Sequence, residues 1–297
     1  MYSFFKLTFT ACVLLLPSVS MADEVEVPRA DIINVRGPIS VIQAGGGNIG
    51  IFAGEDGVFM IDSSYAENSP AVDAALKALS DKPVKVLLNT HWHQDHTGGN
   101  AHQNEKGAKL IAHENVKKRL EKGQTITAFD KVVEPAEEAA LPEETYTEAN
   151  EMRLNGYTFK IIPVADAHTD GDSFVYWPDL NVVQAGDLFF NGFWPFIDYS
   201  SGGDIYGMIA ATDQILMLAD EETRIIPGHG PVAGKAELEA FNAVLRDVAD
   251  KISTAKSQDQ TVEEFIAAEP LTEHEEQWGG GFLPTEKFVR IVWDGLI

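Results

Sequence analysis

The order of elements in this sequence predicts an α/β fold whose sheets are covered by helices on their outer faces. Strand and helix patterns alternate in two similar halves, one strand-led from residue 39 and the other from residue 153. No period of 20–50 residues repeats, and no low-complexity linker divides the chain. Spacing alone leaves open whether there are one or two sheets.

The first half begins with strands over 39–42 and 49–52. A turn at Gly54-Glu55-Asp56-Gly57 leads into a third at 58–61. A helix follows: Ser69 is placed to cap it, Pro70 suits its first turn, and Val72, Ala75, Leu76 and Leu79 recur at helical spacing. Pro83 stops it before a buried-type strand over 84–88. A short strand at 109–112 and a polar helix at 114–122, ended by Gly123, come next. Residues 124–150 hold seven acids and one base with little periodicity, which reads as a solvated excursion.

The second half opens on a hairpin of 153–154 and 157–164 turning at Asn155-Gly156. Strands at 174–177 and 182–185 flank a Pro178-Asp179 turn. Helices at about 204–219, 235–254 and 285–295 complete the chain, the middle one with Phe241, Val244, Leu245 and Val248 on one face.

The 297 residues are 44% hydrophobic and 23% charged, which excludes disordered, collagen-like and disulfide-scaffold chains. Lys and Arg total 22 against 46 Asp and Glu, a net charge of −24. So acidic a chain lacks the basic track that nucleic acid or an anionic membrane requires. Residues 1–22 have the layout of a secretory signal: Lys6, an apolar stretch to Pro17, then Ser20-Met21-Ala22 before Asp23. Cleavage near Ala22 sends a single domain, 23–297, to the periplasm or medium. It also removes Cys12, the one cysteine, and with it any disulfide or thiolate ligand.

Directly after the buried-type strand comes Asn89-Thr90-His91-Trp92-His93-Gln94-Asp95-His96-Thr97-Gly98-Gly99-Asn100. Imidazoles and a carboxylate packed this closely suit zinc, with iron or manganese as further fits. His91 and His93 can converge on one point and Asp95 and His96 on a second, with Gly98-Gly99 allowing a sharp turn beneath.

This His-x-His-x-Asp-His-x-Gly-Gly pattern resembles the signature of the metallo-β-lactamase superfamily. Three downstream segments resemble its remaining motifs: His168 in Ala165-Asp166-Ala167-His168-Thr169-Asp170-Gly171-Asp172, Asp187 in Gln184-Ala185-Gly186-Asp187, and His229 in Ile225-Ile226-Pro227-Gly228-His229-Gly230. The motifs span 91–229, and the resemblance covers essentially the whole mature chain. It implies an αββα sandwich of two mixed sheets with the site at one edge between them. Carried over, His91, His93 and His168 hold one metal ion, Asp95, His96 and His229 a second, and Asp187 bridges them, giving two zinc ions per chain. Metal-activated hydroxide would then attack a carbonyl or phosphoryl centre, with Asp95 handing the proton to the leaving group.

Where the best-known lactamase subclasses have Cys or Ser, this chain has Asp187, as resembles glyoxalase II, the acyl-homoserine lactonases and the RNA-processing branch. The acidic charge argues against a nuclease, the signal against a cytosolic glutathione thioesterase, and the seven-ligand set against a one-iron sulfur dioxygenase. The expected function is an exported zinc hydrolase opening cyclic amides or esters such as β-lactams or lactones. A small molecule is the expected partner, with no nucleic acid and no stable membrane association. A glyoxalase II-like thioesterase, a sulfur dioxygenase and a non-catalytic periplasmic metal-binding protein are the alternatives.

Residues 188–196, six of nine large and apolar, could wall a pocket beside the metals. Trp92 is expected to pack beneath its loop, and Tyr199 is a candidate oxyanion donor. His102, His113 and His274 fall outside the motifs. The acidic 124–150 stretch and Gly279-Gly280-Gly281 could be mobile lids, though a plain solvated loop and a hinge without function are the preferred readings.

Overall fold

The computed structural model describes residues 29–296, so the signal-type segment 1–22 and Cys12 lie outside it. Fourteen strands occur among the described residues. The first six are β1 (Asp31–Arg36), β2 (Ile39–Gln43), β3 (Ile49–Gly54), β4 (Gly57–Ile61), β5 (Val84–Asn89) and β6 (Lys109–His113). Then come β7 (Gln124–Ile126), β8 (Lys131–Val133) and β9 (Glu144–Tyr146). The second half supplies β10 (Asn150–Leu154), β11 (Tyr157–Pro163), β12 (Ser173–Trp177), β13 (Val182–Phe190) and β14 (Arg224–His229). One sheet runs β1-β2-β3-β4-β5-β6-β9 and the other β10-β11-β12-β13-β14; both are mixed, and β7 and β8 form a separate hairpin.

Side-chain alternation explains the layering. Along β3 and β4, Phe52, Phe59 and Ile61 point to the second sheet and meet Phe159 and Trp177, whereas Ile49, Ile51, Val58 and Met60 point outward. There they meet Val72, Ala75 and Leu76 of α1 (Ser69–Leu79). The ring centroids of Phe52 and Trp177 are 5.8 Å apart, and such pairs add about 0.5–1.5 kcal/mol beyond their buried area. The second sheet's outer face packs on the long helices Ile205–Leu218, Lys235–Ser257 and Thr285–Gly295, burying Phe241, Val244, Leu245 and Val248. Helix, sheet, sheet, helix is the αββα sandwich that was expected. No helix among the described residues is long and apolar enough to cross a membrane.

Several expectations need correction. Asn68, not Ser69, precedes the first turn of α1, and its amide binds Ser64 Oγ instead of capping. The 124–150 stretch is not wholly a solvated excursion: β7 and β8 pair as a hairpin, and β9 adds an edge strand beside β6. β13 runs on to Phe190, so Asp187 lies within a strand, held there by its parallel partner β14. Gly98 and Gly99 do not turn at positive φ; they are small because a Cβ on Gly99 would meet Ser63 O at 2.4 Å. β1 and the helices Val262–Ala267 and Thr272–Trp278 went unforeseen.

Candidate metal centre

The parallel strands β4, β5, β13 and β14 end at the same edge of the sandwich, the usual place for a ligand crevice in α/β sheets. All seven predicted ligands meet there. His91, His93 and His168 offer donor atoms within 4.8 Å of one another, as do His91, His96 and Asp187, and Asp95, His96 and His229. His168 Nε2 lies 2.9 Å from His93 Nδ1, and His96 Nε2 lies 3.3 Å from His229 Nε2. Asp187 stands between the groups: its Oδ2 is 3.4 Å from His168 Nε2 and 3.5 Å from His229 Nε2, and its Oδ1 is 3.1 Å from His96 Nε2. Asp95 Oδ2 is 3.1 Å from His229 Nε2.

Neighbouring groups aim the imidazoles. Asp62 Oδ2 accepts from His96 Nδ1 at 2.8 Å and from Thr90 Oγ1 at 2.8 Å. The Thr90 oxygen is then free to accept from His91 Nδ1 at 3.1 Å. His168 Nδ1 donates to the Phe196 carbonyl at 2.7 Å, and His93 Nε2 donates to Asp198 Oδ2 at 3.0 Å. With a metal ion bound, each outward nitrogen would carry the proton and leave the inward nitrogen's lone pair for the ion. The buried atoms His91 Nε2 and Asp187 Oδ1 have no hydrogen-bond partner. Orphaned donor atoms within a cluster of lone pairs are what a metal ion would satisfy, so the residues fit a metal centre.

The electrostatics agree. Burial pushes His168 down to about 4, and burial with the charge of His96 holds His91 well below the usual histidine range. Burial opposes ionisation of Asp187, yet His96, His229, His91 and His168 around it keep its carboxyl well below the usual range. Against its own burial, His229 is raised to about 9 by Asp187 and Asp95. The centre thus sets two imidazoles kept neutral, His91 and His168, and two held protonated by the carboxylates, His96 and His229, around acids that require positive charge beside them.

Beside the cluster opens a cavity of about 370 Å³. Asp95, Asp187 and His229 reach its floor, Phe190 and Phe196 its walls, and Tyr65, Lys131, Phe129 and Phe282 also line it. Trp92 packs under the ligand loop as expected, 1% exposed, its Nε1 donating to Ser201 Oγ. Tyr199 is not an oxyanion donor: its ring abuts Gly295 and it lines a different cavity with Lys287 and Arg290. Tyr65, in the loop after β4, is the tyrosine that reaches the site, and burial with Asp95 nearby raises its hydroxyl above the ordinary value, keeping it a donor. His102, His113 and His274 lie apart, binding Asp73, capping the helix Glu114–Lys122 and binding Asp247. Asp62, Asp198 and Tyr65 were missed in the sequence, where the only cue was that Asp62 directly follows a strand and Tyr65 lies in the loop after it.

The chain belongs to the metallo-beta-lactamase superfamily, whose family model matches residues 42–229. Members are generally hydrolytic enzymes and use metals. Among curated relatives, the chain is 27% identical over 158 residues to hydroxyacylglutathione hydrolase GloC of Haemophilus influenzae, covering 50% of this chain and 70% of that protein. It is 26% identical over 162 residues to the 2,4-dinitroanisole O-demethylase subunit alpha of Nocardioides sp., covering 53% of this chain and 46% of that one, so the match spans less than half of that subunit. The solved metallo-beta-lactamase from Pontibacter korlensis superposes with a TM-score of 0.59 at 17% identity, covering 73% of this chain and 99% of that one. The sec-alkylsulfatase Pisa1 from Pseudomonas sp. gives 0.65 at 17%, covering 90% of this chain and 50% of that one. At these identities the structures share the fold.

Proposed function

We propose that this chain is an exported, zinc-dependent hydrolase that opens the carbonyl of a cyclic amide or ester, a β-lactam or a lactone. The observation that carries the reading is the convergence of seven side chains into two adjoining donor groups sharing Asp187, beside a cavity with apolar walls. Bound zinc would supply Lewis acidity and lower the pKa of a water to about 7. His91, His93 and His168 would hold one ion and Asp95, His96 and His229 the other. Asp95, 20% exposed at its side chain, faces the cavity and is placed to carry a proton to the leaving group. Tyr65 is placed to donate to the substrate carbonyl, and Lys131 at the cavity rim offers a countercharge to an anionic substrate.

The likeness to the Haemophilus hydroxyacylglutathione hydrolase favours a thioester as second reading. The signal-type segment 1–22 speaks against a cytosolic thioester, and the mass of the mature chain tests that cleavage. A screen of nitrocefin, lactones, thioesters and phosphodiesters tests the activity, with Asp95→Asn as the comparison. Hydrolysis of a lactam or lactone, reduced in Asp95→Asn, is the expected result. Turnover of thioesters alone overturns the cyclic-substrate reading, and no turnover of any of them favours a binding protein.

A further inference from the structure

Two files of aromatic rings lead from the donor cluster to the surface. In one, His229 stacks on Phe190 at 5.3 Å, Phe190 meets Phe193 at 5.9 Å, and Phe193 meets Phe282 at 6.3 Å. In the other, His93 stacks on Phe196 at 5.7 Å and Phe196 meets Phe129 at 4.9 Å. Each file ends in an exposed ring: Phe282 at 59% and Phe129 at 43%. Both terminal rings line the same cavity as Asp95 and Asp187. They come from segments far apart in the chain, the turn between β7 and β8 and the Gly-rich stretch before the last helix. A Cβ on Gly281 would meet Phe193 Cβ at 2.4 Å, so glycine there lets the segment close onto Phe193.

A single apolar side chain left in water is ordinary, whereas several gathered at one place mark a binding surface. Here two of them stand at the mouth of one cavity, continuous with apolar walls that reach the donor cluster. A compact polar ring would fill the floor and leave both rings wet. From this continuity we infer that the substrate carries an unbranched apolar chain, alkyl or acyl, which runs outward between the two files while its carbonyl sits at the floor. The inference rests on the hydrolase reading above and narrows its substrate to chain-bearing lactones. In the reaction, water adds its oxygen to the carbonyl carbon, the ring C–O bond breaks, and the proton passes to the departing alkoxide, giving a hydroxy acid.

The test is a series of γ-lactones from γ-butyrolactone to γ-dodecalactone with the zinc-loaded protein. Alongside it, straight-chain carboxylates from hexanoate to dodecanoate are titrated by calorimetry. A chain buried between the files raises kcat/KM by about fourfold per methylene, and Kd for the carboxylates falls in step. In the double variant Phe129→Ala, Phe282→Ala, the long-to-short ratio of kcat/KM drops about tenfold or more. Met217→Ala, on an exposed residue outside the cavity, leaves that ratio unchanged. Lactone turnover with no dependence on chain length, and flat carboxylate affinities, overturns the inference and spares the hydrolase reading. Chain-dependent carboxylate binding without turnover of any lactone upholds the channel and overturns the lactone as its substrate.

Discussion

Replacing Asp198 by asparagine alters only one end of a buried side chain, yet it should cost metal affinity. Asp198 is 1% exposed and accepts from His93 Nε2 at 3.0 Å and from the hydroxyls of Ser200 and Ser201. Burial disfavours its charge, but His93 and the two serines hold its carboxyl down to about 2. At 1.36 kcal/mol per pH unit, that lowering from 3.8 corresponds to about 2 kcal/mol in favour of the carboxylate. An asparagine facing His93 has one oxygen for three donors. Turned the other way, its amide hydrogens meet Nε2 and drive the proton onto Nδ1, the nitrogen 2.9 Å from His168 Nε2. Either arrangement weakens His93 as a ligand. Removing a group that orients a metal ligand typically costs ~10–100-fold in metal affinity, and a loss in that range is expected here. The assay is competition for zinc with a chromophoric chelator, with circular dichroism to show that the variant folds. Unchanged zinc affinity in folded Asp198→Asn refutes the argument that Asp198 aims His93.

In Gly228→Ala, the new Cβ would fall 1.9 Å from Asp187 Oδ1 and 2.7 Å from the Gly186 carbonyl carbon, forcing the bridging carboxylate aside. We expect a stability cost of about 1–3 kcal/mol by urea titration, together with reduced bound zinc. Trp92→Ala removes a buried indole from beneath the ligand loop and should cost about 3–5 kcal/mol in the same titration. Away from the centre, Asp73 is lowered despite some desolvation, because Lys106 and His102 bind it. A lowered carboxylate stabilises the fold above its ordinary value of 3.8 and ceases to do so as pH falls through its folded value. Asp73→Asn should therefore cost under about 1 kcal/mol at neutral pH and nothing once the pH is below the carboxylate range, which paired urea titrations would show.

What the sequence made legible follows from where the determining contacts lie. His91, His93, Asp95 and His96 occupy one turn of chain after a buried strand, so their convergence is nearly local. His168, Asp187 and His229 are far from that loop in sequence, and their motifs were recognisable only by family resemblance. Asp62, Asp198 and Tyr65 belong to no such motif; their contacts arise only once distant segments are folded together. Among the strands, β3, β4 and β5 bury apolar residues and announced themselves. β1 is an edge strand without a buried residue, and β9 is three residues inside an acidic stretch. Phe129 shows the cost of reading that stretch by charge alone: its seven acids obscured the hairpin that carries an aromatic ring to the cavity.

Elemental analysis of the purified chain reaches the central proposal most directly. Two zinc ions per chain are expected, falling when Asp187→Asn removes the shared carboxylate. A single iron per chain, with oxygen consumed on persulfides, would contradict the dinuclear hydrolase.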